Sequence, residues 1–167
     1  MPARGGSNHR HAQRSNPADA KRRLPGPMRV LFLDFDGVLH PGPDAQPHEI
    51  APFAWLPALA HLLRQHPEVG VVVHSNWRLG HDADELRAFL GPLGERFLGA
   101  TGAGERYASI LDWLRTHEAV DCCILDDDAR EFPDPPPAEL ILAPTHAGIG
   151  DEETQRRVRG WLGRRSA

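Results

Sequence analysis

The strongest structural signal in the chain is the segment Val30-Leu31-Phe32-Leu33-Asp34-Phe35-Asp36-Gly37-Val38-Leu39. Its apolar and aromatic residues predict a buried strand that delivers two carboxylates into a loop at its carboxyl end. Residues two apart on a strand point the same way, so we expect Asp34 and Asp36 to face one pocket, with a turn at Gly37. Two acids held together need a positive partner, and a divalent cation such as Mg²⁺ is the simplest one.

The length of 167 residues is enough for one domain with a sizeable core. The apolar runs are too short to span a membrane, and the first residues lack the apolar block of a signal peptide. We therefore expect a cytoplasmic protein without a membrane partner. Cys122 and Cys123 are adjacent on a predicted strand, and we interpret them as reduced core residues.

The charge distribution separates an N-terminal tail from the rest of the chain. Residues 1–27 carry six basic side chains and one acidic one, which leaves 13 basic and 22 acidic residues in the remainder. The tail is rich in Gly, Pro, Ser and Asn, so we predict a disordered basic tail over 1–27 and one folded domain over 28–167. The tail could attract nucleic acid, or it could be a solubilising extension.

Short apolar runs alternate with helical periodicity along the rest of the chain. Strands are predicted at 69–74, 97–101, 120–125 and 140–142, and helices begin near residues 55, 82, 105 and 152. This alternation predicts an α/β fold of three layers, in which a Rossmann-like parallel sheet of about five strands carries helices on both faces. Ligands of such sheets bind at the carboxyl ends of the strands.

Polar clusters follow three of the predicted strands. Asp34 and Asp36 follow the first, Ser75-Asn76-Trp77-Arg78 follows the second, and Asp126-Asp127-Asp128 follows the fourth. Taken singly, these clusters also fit a calcium loop or plain turn, a helix cap and a solvated loop, respectively. Their shared position at strand ends favours one common site.

These segments resemble the four signatures of the haloacid dehalogenase-like phosphohydrolases, over residues 29 to about 163. The matching positions are the segment from Leu31 to Leu39, Ser75 at a strand end, Arg106 at a helix start, and the pair Asp126-Asp127. The resemblance implies the fold of that family. Asp34 and Ser75 are 41 positions apart and Ser75 and Arg106 are 31 apart, so the cap domain of larger members does not fit.

The resemblance also implies a phosphomonoesterase that works through an aspartyl-phosphate. Asp34 would be the nucleophile, and Asp36 would move protons, with its pKa raised by the neighbouring acid. Ser75 would contact a phosphoryl oxygen, while Arg106 would replace the family's usual lysine. Mg²⁺ would be bound by the Asp34 side chain, the backbone carbonyl of Asp36 and the Asp127 side chain, and Asp126 would support Asp127.

The cluster after the second strand, Ser75-Asn76-Trp77-Arg78, indicates which class of substrate to expect. Arg78 is a rival to Arg106 as the phosphate-balancing cation, and Asn76 is a candidate substrate contact. The segment resembles capless phosphatase domains associated with nucleic-acid end repair, so a phosphorylated nucleic-acid end, a nucleotide or a phosphoprotein is the expected substrate. Trp77 could stack on a base or pack against the following helix.

Two alternatives to an enzyme stay open at this point. One is a non-catalytic phosphoacceptor, although receiver domains place the acceptor Asp on the third strand rather than the first. The other is a relative that only binds a phosphorylated partner. Among the histidines, His74 and His146 lie nearest to strand ends, where they could line the pocket. The sequence leaves the oligomeric state undetermined.

Overall fold

The computed structural model describes residues 28–44 and 49–164. The tail predicted over residues 1–27 lies outside the described residues, as do the last three residues of the predicted domain. No helix in the two described ranges is long and apolar enough to cross a membrane.

Five parallel strands form one sheet in the order β3-β2-β1-β4-β5. Their bounds are β1 Met28–Leu33, β2 Val69–Val73, β3 Phe97–Ala100, β4 Ala119–Asp126 and β5 Leu140–Leu142. The central strand β1 pairs with β2 on one side and with β4 on the other. Its residues from Val30 to Leu33 are fully buried, as expected for a strand covered on both faces. The predicted five-stranded parallel sheet is therefore confirmed.

Within residues 28–44 and 49–164, four α-helices connect or follow the strands, together with four short 3₁₀ segments. The α-helices are α1 Leu56–Leu63, α2 Ala83–Phe89, α3 Arg106–Thr116 and α4 Glu152–Leu162; the 3₁₀ segments are Asn76–Leu79, Gly91–Arg96, Ala129–Glu131 and Gly148–Gly150. Asp82 begins α2 with a capping box to Glu85, and Asp151 caps α4. In the described part of the chain, α1 lies between β1 and β2, and α2 lies between β2 and β3. The described residues of these two connections form no separate cap domain.

The two faces of the sheet form two cores. Leu31 and Leu33 of β1 pack in one core with apolar residues of α1, α2 and α4. Val30 and Phe32 point the other way, into a core that α3 covers. In α3, Ile110 and Trp113 are buried, whereas Leu111 is 43% exposed. Trp113 lies three positions after the buried Ile110, which puts the two on one face of the helix.

The strand register brings the predicted polar clusters together. Leu33 is aligned with Val73 on β2 and with Leu125 on β4, so the residues that follow these three lie side by side. The amide of Asp34 donates to the Leu125 carbonyl at 3.1 Å, and the amide of His74 donates to the Leu33 carbonyl at 3.1 Å. The carboxyl edge of the sheet therefore carries the candidate site.

Arg29 fastens the opposite end of β1 to α4. Its side chain is 5% exposed and donates to the Asp121 carboxylate at 3.1 and 3.2 Å. It also donates to two carbonyls of the last helical turn, that of Trp161 at 2.6 Å and that of Leu162 at 3.1 Å. The guanidinium carbon lies 4.6 Å from the centre of the Trp161 ring.

We predict that Arg29→Met lowers the free energy of unfolding by about 2–4 kcal/mol, because buried acceptors lose their charged donor. Urea denaturation followed by circular dichroism measures this change. Arg130→Met is the matched control, since the Arg130 side chain is 89% exposed, and we expect it to shift the value by less than about 0.5 kcal/mol. Equal effects of the two substitutions would contradict the structural role of Arg29.

Candidate active site

The loop after β1 is folded tightly around Gly37. This residue has φ +73°, and its amide donates to the His40 carbonyl at 2.8 Å. A Cβ atom at Gly37 would overlap the Asp127 carboxylate and would lie 2.7 Å from Thr145 Oγ1. Glycine is thus required for both its backbone angle and the space it leaves, in agreement with the predicted turn.

Asp34 is buried at the centre of the site. Its Oδ1 accepts the Phe35 amide at 2.8 Å, and its Oδ2 accepts from Arg106 Nη1 at 3.1 Å. Burial and the nearby charge of Asp126 raise the pKa of Asp34 to about 8, and the Arg106 guanidinium only partly offsets them. In this environment the ionised carboxylate is destabilised.

Asp126 is also fully buried, but it has more donors. Its Oδ2 accepts from His74 Nε2 at 2.7 Å and from Arg106 Nη1 at 2.9 Å, while its Oδ1 accepts the Asp128 amide at 2.8 Å. Burial opposes ionisation, yet the His74 hydrogen bond and the positive charge of Arg106 hold the pKa of Asp126 below its usual value. Asp126 is therefore a fixed anion that orients the Arg106 side chain.

Asp127 faces the loop of Gly37. Burial and the charge of Asp126 raise the pKa of Asp127, and a hydrogen bond with Thr145 acts in the opposite direction. Oxygen atoms of Asp34, Asp126 and Asp127 lie within 4.8 Å of one another. Within the described ranges, the Asp36 carbonyl accepts none of the protein's hydrogen bonds and so remains available as a ligand.

This oxygen set fits a hard divalent cation such as Mg²⁺. Such a cation would neutralise the negative charge around Asp34 that the protein leaves uncompensated. Since both oxygens of Asp126 already accept hydrogen bonds, the side chains of Asp34 and Asp127 and the carbonyl of Asp36 are the better direct ligands.

Asp36 lies in a different environment, with its side chain 40% exposed. Its Oδ1 contacts His40 Nε2 at 2.8 Å, and its Oδ2 accepts from Trp77 Nε1 at 3.2 Å. The hydrogen bond from His40 holds the pKa of Asp36 below its usual value. Partial burial acts to raise this pKa, and the hydrogen bond from Trp77 acts to lower it. The sequence-based expectation of a raised pKa is therefore wrong for Asp36, because these two donors outweigh burial. The acids whose pKa is raised are Asp34 and Asp127.

The residues after β2 have distinct surroundings. Ser75 is fully buried, and its Oγ accepts the Trp77 amide at 3.3 Å, which leaves the hydroxyl proton free to donate. Asn76 is exposed beside it. Trp77 packs against Phe53 and Phe89, with ring centres 5.3 and 5.2 Å apart. Packing on the following helix is thus its observed role, in addition to the bond with Asp36.

Arg78 binds main-chain carbonyls rather than the acidic cluster. It donates to His74 at 2.8 Å and Ser75 at 3.1 Å, and also to Gly102 at 3.1 Å and Gly104 at 2.8 Å. These bonds tie the end of β2 to the loop that precedes α3. Because α3 begins with Arg106, Arg78 holds the segment that presents Arg106 to the acids.

Several contributors were not identified from the sequence. His40 and Thr145 were not assigned a role, and His74 was noted only for its place near a strand end. A role for His40 could have been predicted from its position close to the Asp-x-Asp motif. The contact between Thr145 and Asp127 could not, because these residues are distant in sequence and are brought together by folding. His146, the other histidine considered for the pocket, is exposed. Asp128, the third acid of its cluster, caps the 3₁₀ segment Ala129–Glu131.

The chain matches the model of a known family. The model described as the HAD domain in Swiss Army Knife RNA repair proteins matches residues 30–154, where HAD denotes the haloacid dehalogenase type. This range includes every site residue named above. Searches of curated proteins and of solved structures gave no match.

The two arginines are expected to respond differently to substitution. Arg106→Ala should lower kcat on a phosphomonoester by about 10²- to 10³-fold, because a positioned charge next to Asp34, the predicted nucleophile, is lost. Arg78→Ala should instead lower the free energy of unfolding by about 1–3 kcal/mol, because several carbonyls lose their donor, while KM changes little. Steady-state kinetics and urea denaturation measure both effects, with the exposed Arg87→Ala as the control. A large increase in KM without loss of stability would make Arg78 a phosphate ligand.

The raised pKa of Asp34 predicts that the free energy of unfolding depends on pH. In the unfolded chain Asp34 ionises near the ordinary aspartate pKa of 3.8, whereas the folded, metal-free protein keeps it protonated up to about pH 8. Between these two pKa values the unfolded state binds fewer protons than the folded state. The free energy of unfolding therefore decreases as the pH rises. Asp34→Asn removes the loss and should be more stable than wild type at pH 7 by on the order of 1–3 kcal/mol.

The measurement is urea denaturation in EDTA at several values between pH 5 and pH 8. The stability difference between Asp34→Asn and wild type should grow over this interval. Asp84→Asn is the control, because the Asp84 side chain is 94% exposed. A difference that does not change with pH would show that Asp34 ionises normally in the folded protein.

Proposed function

The chain belongs to the family of HAD domains in Swiss Army Knife RNA repair proteins, and from this premise we propose that it is a Mg²⁺-dependent phosphomonoesterase acting on phosphorylated nucleic-acid ends. The observation that carries the proposal is the position of Asp34. It is buried at a strand end, hydrogen-bonded to Arg106 and within a cluster of three carboxylates. This arrangement suits a nucleophile that attacks an anionic phosphorus centre.

The reaction would proceed in two steps. In the first, an Asp34 oxygen bonds to phosphorus while the ester P–O bond breaks, and the leaving oxygen takes a proton from Asp36. In the second, a water molecule attacks the aspartyl-phosphate, Asp36 takes back a proton, and inorganic phosphate leaves with the Asp34 carboxylate restored. Because hydrogen bonds favour ionised Asp36, its environment is particularly suited to the second step.

The phosphoryl oxygens would be bound by groups that surround Asp34. The free hydroxyl proton of Ser75 can donate to one of them, and Asn76 is exposed at the same strand end. The Arg106 guanidinium would balance negative charge while Asp126 fixes its orientation. His74 in turn fixes Asp126 from the buried side. This chain of contacts makes Arg106 a preorganised cation.

The metal would be held by the Asp34 side chain, the Asp36 carbonyl and the Asp127 side chain. When bound, Mg²⁺ supplies positive charge that reduces repulsion between Asp34 and the phosphoryl group. Asp127 is positioned for this by Thr145 and by the space that Gly37 leaves.

Two observations support a large substrate. The connections from β1 to β2 and from β2 to β3 contain no cap domain among the described residues, so a long ligand can approach the strand ends. The Asp36 side chain, where the leaving group would be protonated, is 40% exposed. Together with the RNA repair context of the family, these features favour a nucleic-acid end over a small enclosed metabolite.

Wild-type protein should hydrolyse p-nitrophenyl phosphate with Mg²⁺, and EDTA should abolish the activity. Asp34→Asn should lower kcat by at least about 10³-fold, since the covalent step is lost, while circular dichroism verifies its fold. Equal phosphate release with and without Mg²⁺, or by Asp34→Asn, would exclude the proposed mechanism.

The substrate class is tested with a panel of RNA and DNA oligonucleotides phosphorylated at the 3′ or 5′ end, free nucleotides and a phosphopeptide. Phosphate release is measured at equal substrate concentration. We expect kcat/KM to be at least about tenfold higher for one class of oligonucleotide end than for nucleotides and phosphopeptide, which corresponds to about 1.4 kcal/mol of transition-state binding. Equal, low values across the panel would leave nucleic-acid ends unsupported.

A further inference from the structure

His40 is held between Asp36 and the backbone of Phe53. The His40 side chain is 9% exposed; its Nε2 lies 2.8 Å from Asp36 Oδ1, and its Nδ1 lies 3.1 Å from the Phe53 amide nitrogen. A backbone amide can only donate, so Nδ1 must accept this bond. The ring proton of neutral His40 is therefore on Nε2 and points to Asp36.

The segment around Phe53 supports this orientation. Phe53 has φ +60°, an uncommon angle for an aromatic residue, and this conformation persists where the surroundings impose it. Its ring packs against Phe35 at 5.1 Å, His40 at 5.0 Å and Phe89 at 5.5 Å between centres. Aromatic packing thus holds the Phe53 amide where it fixes the His40 ring.

The second oxygen of Asp36 is held from another part of the chain. Trp77, which follows β2, donates from Nε1 to Asp36 Oδ2 at 3.2 Å. One bond to each oxygen fixes the plane of the carboxylate and leaves a second lone pair on each oxygen for a transferred proton.

We infer that His40 is a positioning residue for proton transfer: through its Nε2–H it orients the Asp36 carboxyl group toward the leaving oxygen of the substrate. The inference rests on the proposed function and adds a residue to it. A displaced proton donor slows the step in which the leaving oxygen must be protonated. It matters less for a leaving group such as p-nitrophenolate, which departs readily without a proton.

This difference between leaving groups distinguishes positioning from a general structural effect. The substrates are p-nitrophenyl phosphate and a simple alkyl phosphate monoester, and kcat/KM is the measured quantity. His40→Phe keeps a ring in the aromatic cluster but cannot donate to Asp36. His40→Gln places an amide nitrogen near the position of Nε2, and His40→Asn reaches only the position of Nδ1.

We expect His40→Phe and His40→Asn to lower kcat/KM for the alkyl ester by about 10²-fold and for the nitrophenyl ester by less than about tenfold. His40→Gln should recover the alkyl ester activity to within about tenfold of wild type. The matched control is His81→Phe, because His81 stacks on Trp77 with ring centres 5.4 Å apart but donates nothing to Asp36. We expect this control to leave both values within about twofold of wild type.

An equal loss on both esters, no loss on either, or no difference between Gln and Asn at position 40 would overturn the inference while leaving the phosphatase proposal intact. Wild type that is inactive on both esters with Mg²⁺ would instead overturn the proposed function, and the role of His40 with it. Thermal unfolding of each variant verifies folding, and the Gln and Asn pair carries the test if the Phe variant does not fold.

Discussion

The crowding of buried carboxylates at the ends of β1 and β4 is the constraint on which the site depends. Parallel pairing of Leu33 with Leu125 places Asp34 and Asp126 on neighbouring strands. One guanidinium, from Arg106, contacts both acids, at 3.1 and 2.9 Å. A single positive charge does not neutralise two buried negative ones, so one acid must remain unfavourable as an anion.

The distribution of donors decides which acid that is. Asp126 has His74 and the Asp128 amide in addition to Arg106, whereas Asp34 has the Phe35 amide. The remaining electrostatic cost therefore falls on Asp34, whose carboxylate must attack phosphorus under the proposed function. The same β1 strand offsets this cost, because each of its fully buried large apolar side chains contributes about 1.5–3 kcal/mol on folding.

Features that depend on local pattern could be predicted from the sequence. Alternating apolar runs identified the parallel sheet, and the rule for strand ends located Asp34, Ser75 and Asp126 at one edge. The surroundings of each side chain could not be obtained in this way. Arg78 bonds to carbonyls 24 and 26 positions later, and Trp77 reaches an acid 41 positions earlier. Such pairings arise from loop paths, which apolar periodicity does not encode. The expectation about the pKa of Asp36 was wrong because the hydrogen bond from the nearby His40, assisted by the distant Trp77, was not foreseen.

The site consists of two parts with different physical character. Asp34 and Asp126 are buried and connected through Arg106, and the buried His74 is hydrogen-bonded to Asp126, so their positions are fixed before any ligand binds. Asp36 lies at the exposed side, where its orientation depends on aromatic side chains from loops rather than on the sheet. A phosphoryl group would therefore meet a rigid, polar pocket, whereas its leaving group would meet a half-open surface. Because that surface does not enclose the leaving group, the arrangement admits a polymer end, and the loops after β1 and β2 are where selectivity for that end would arise.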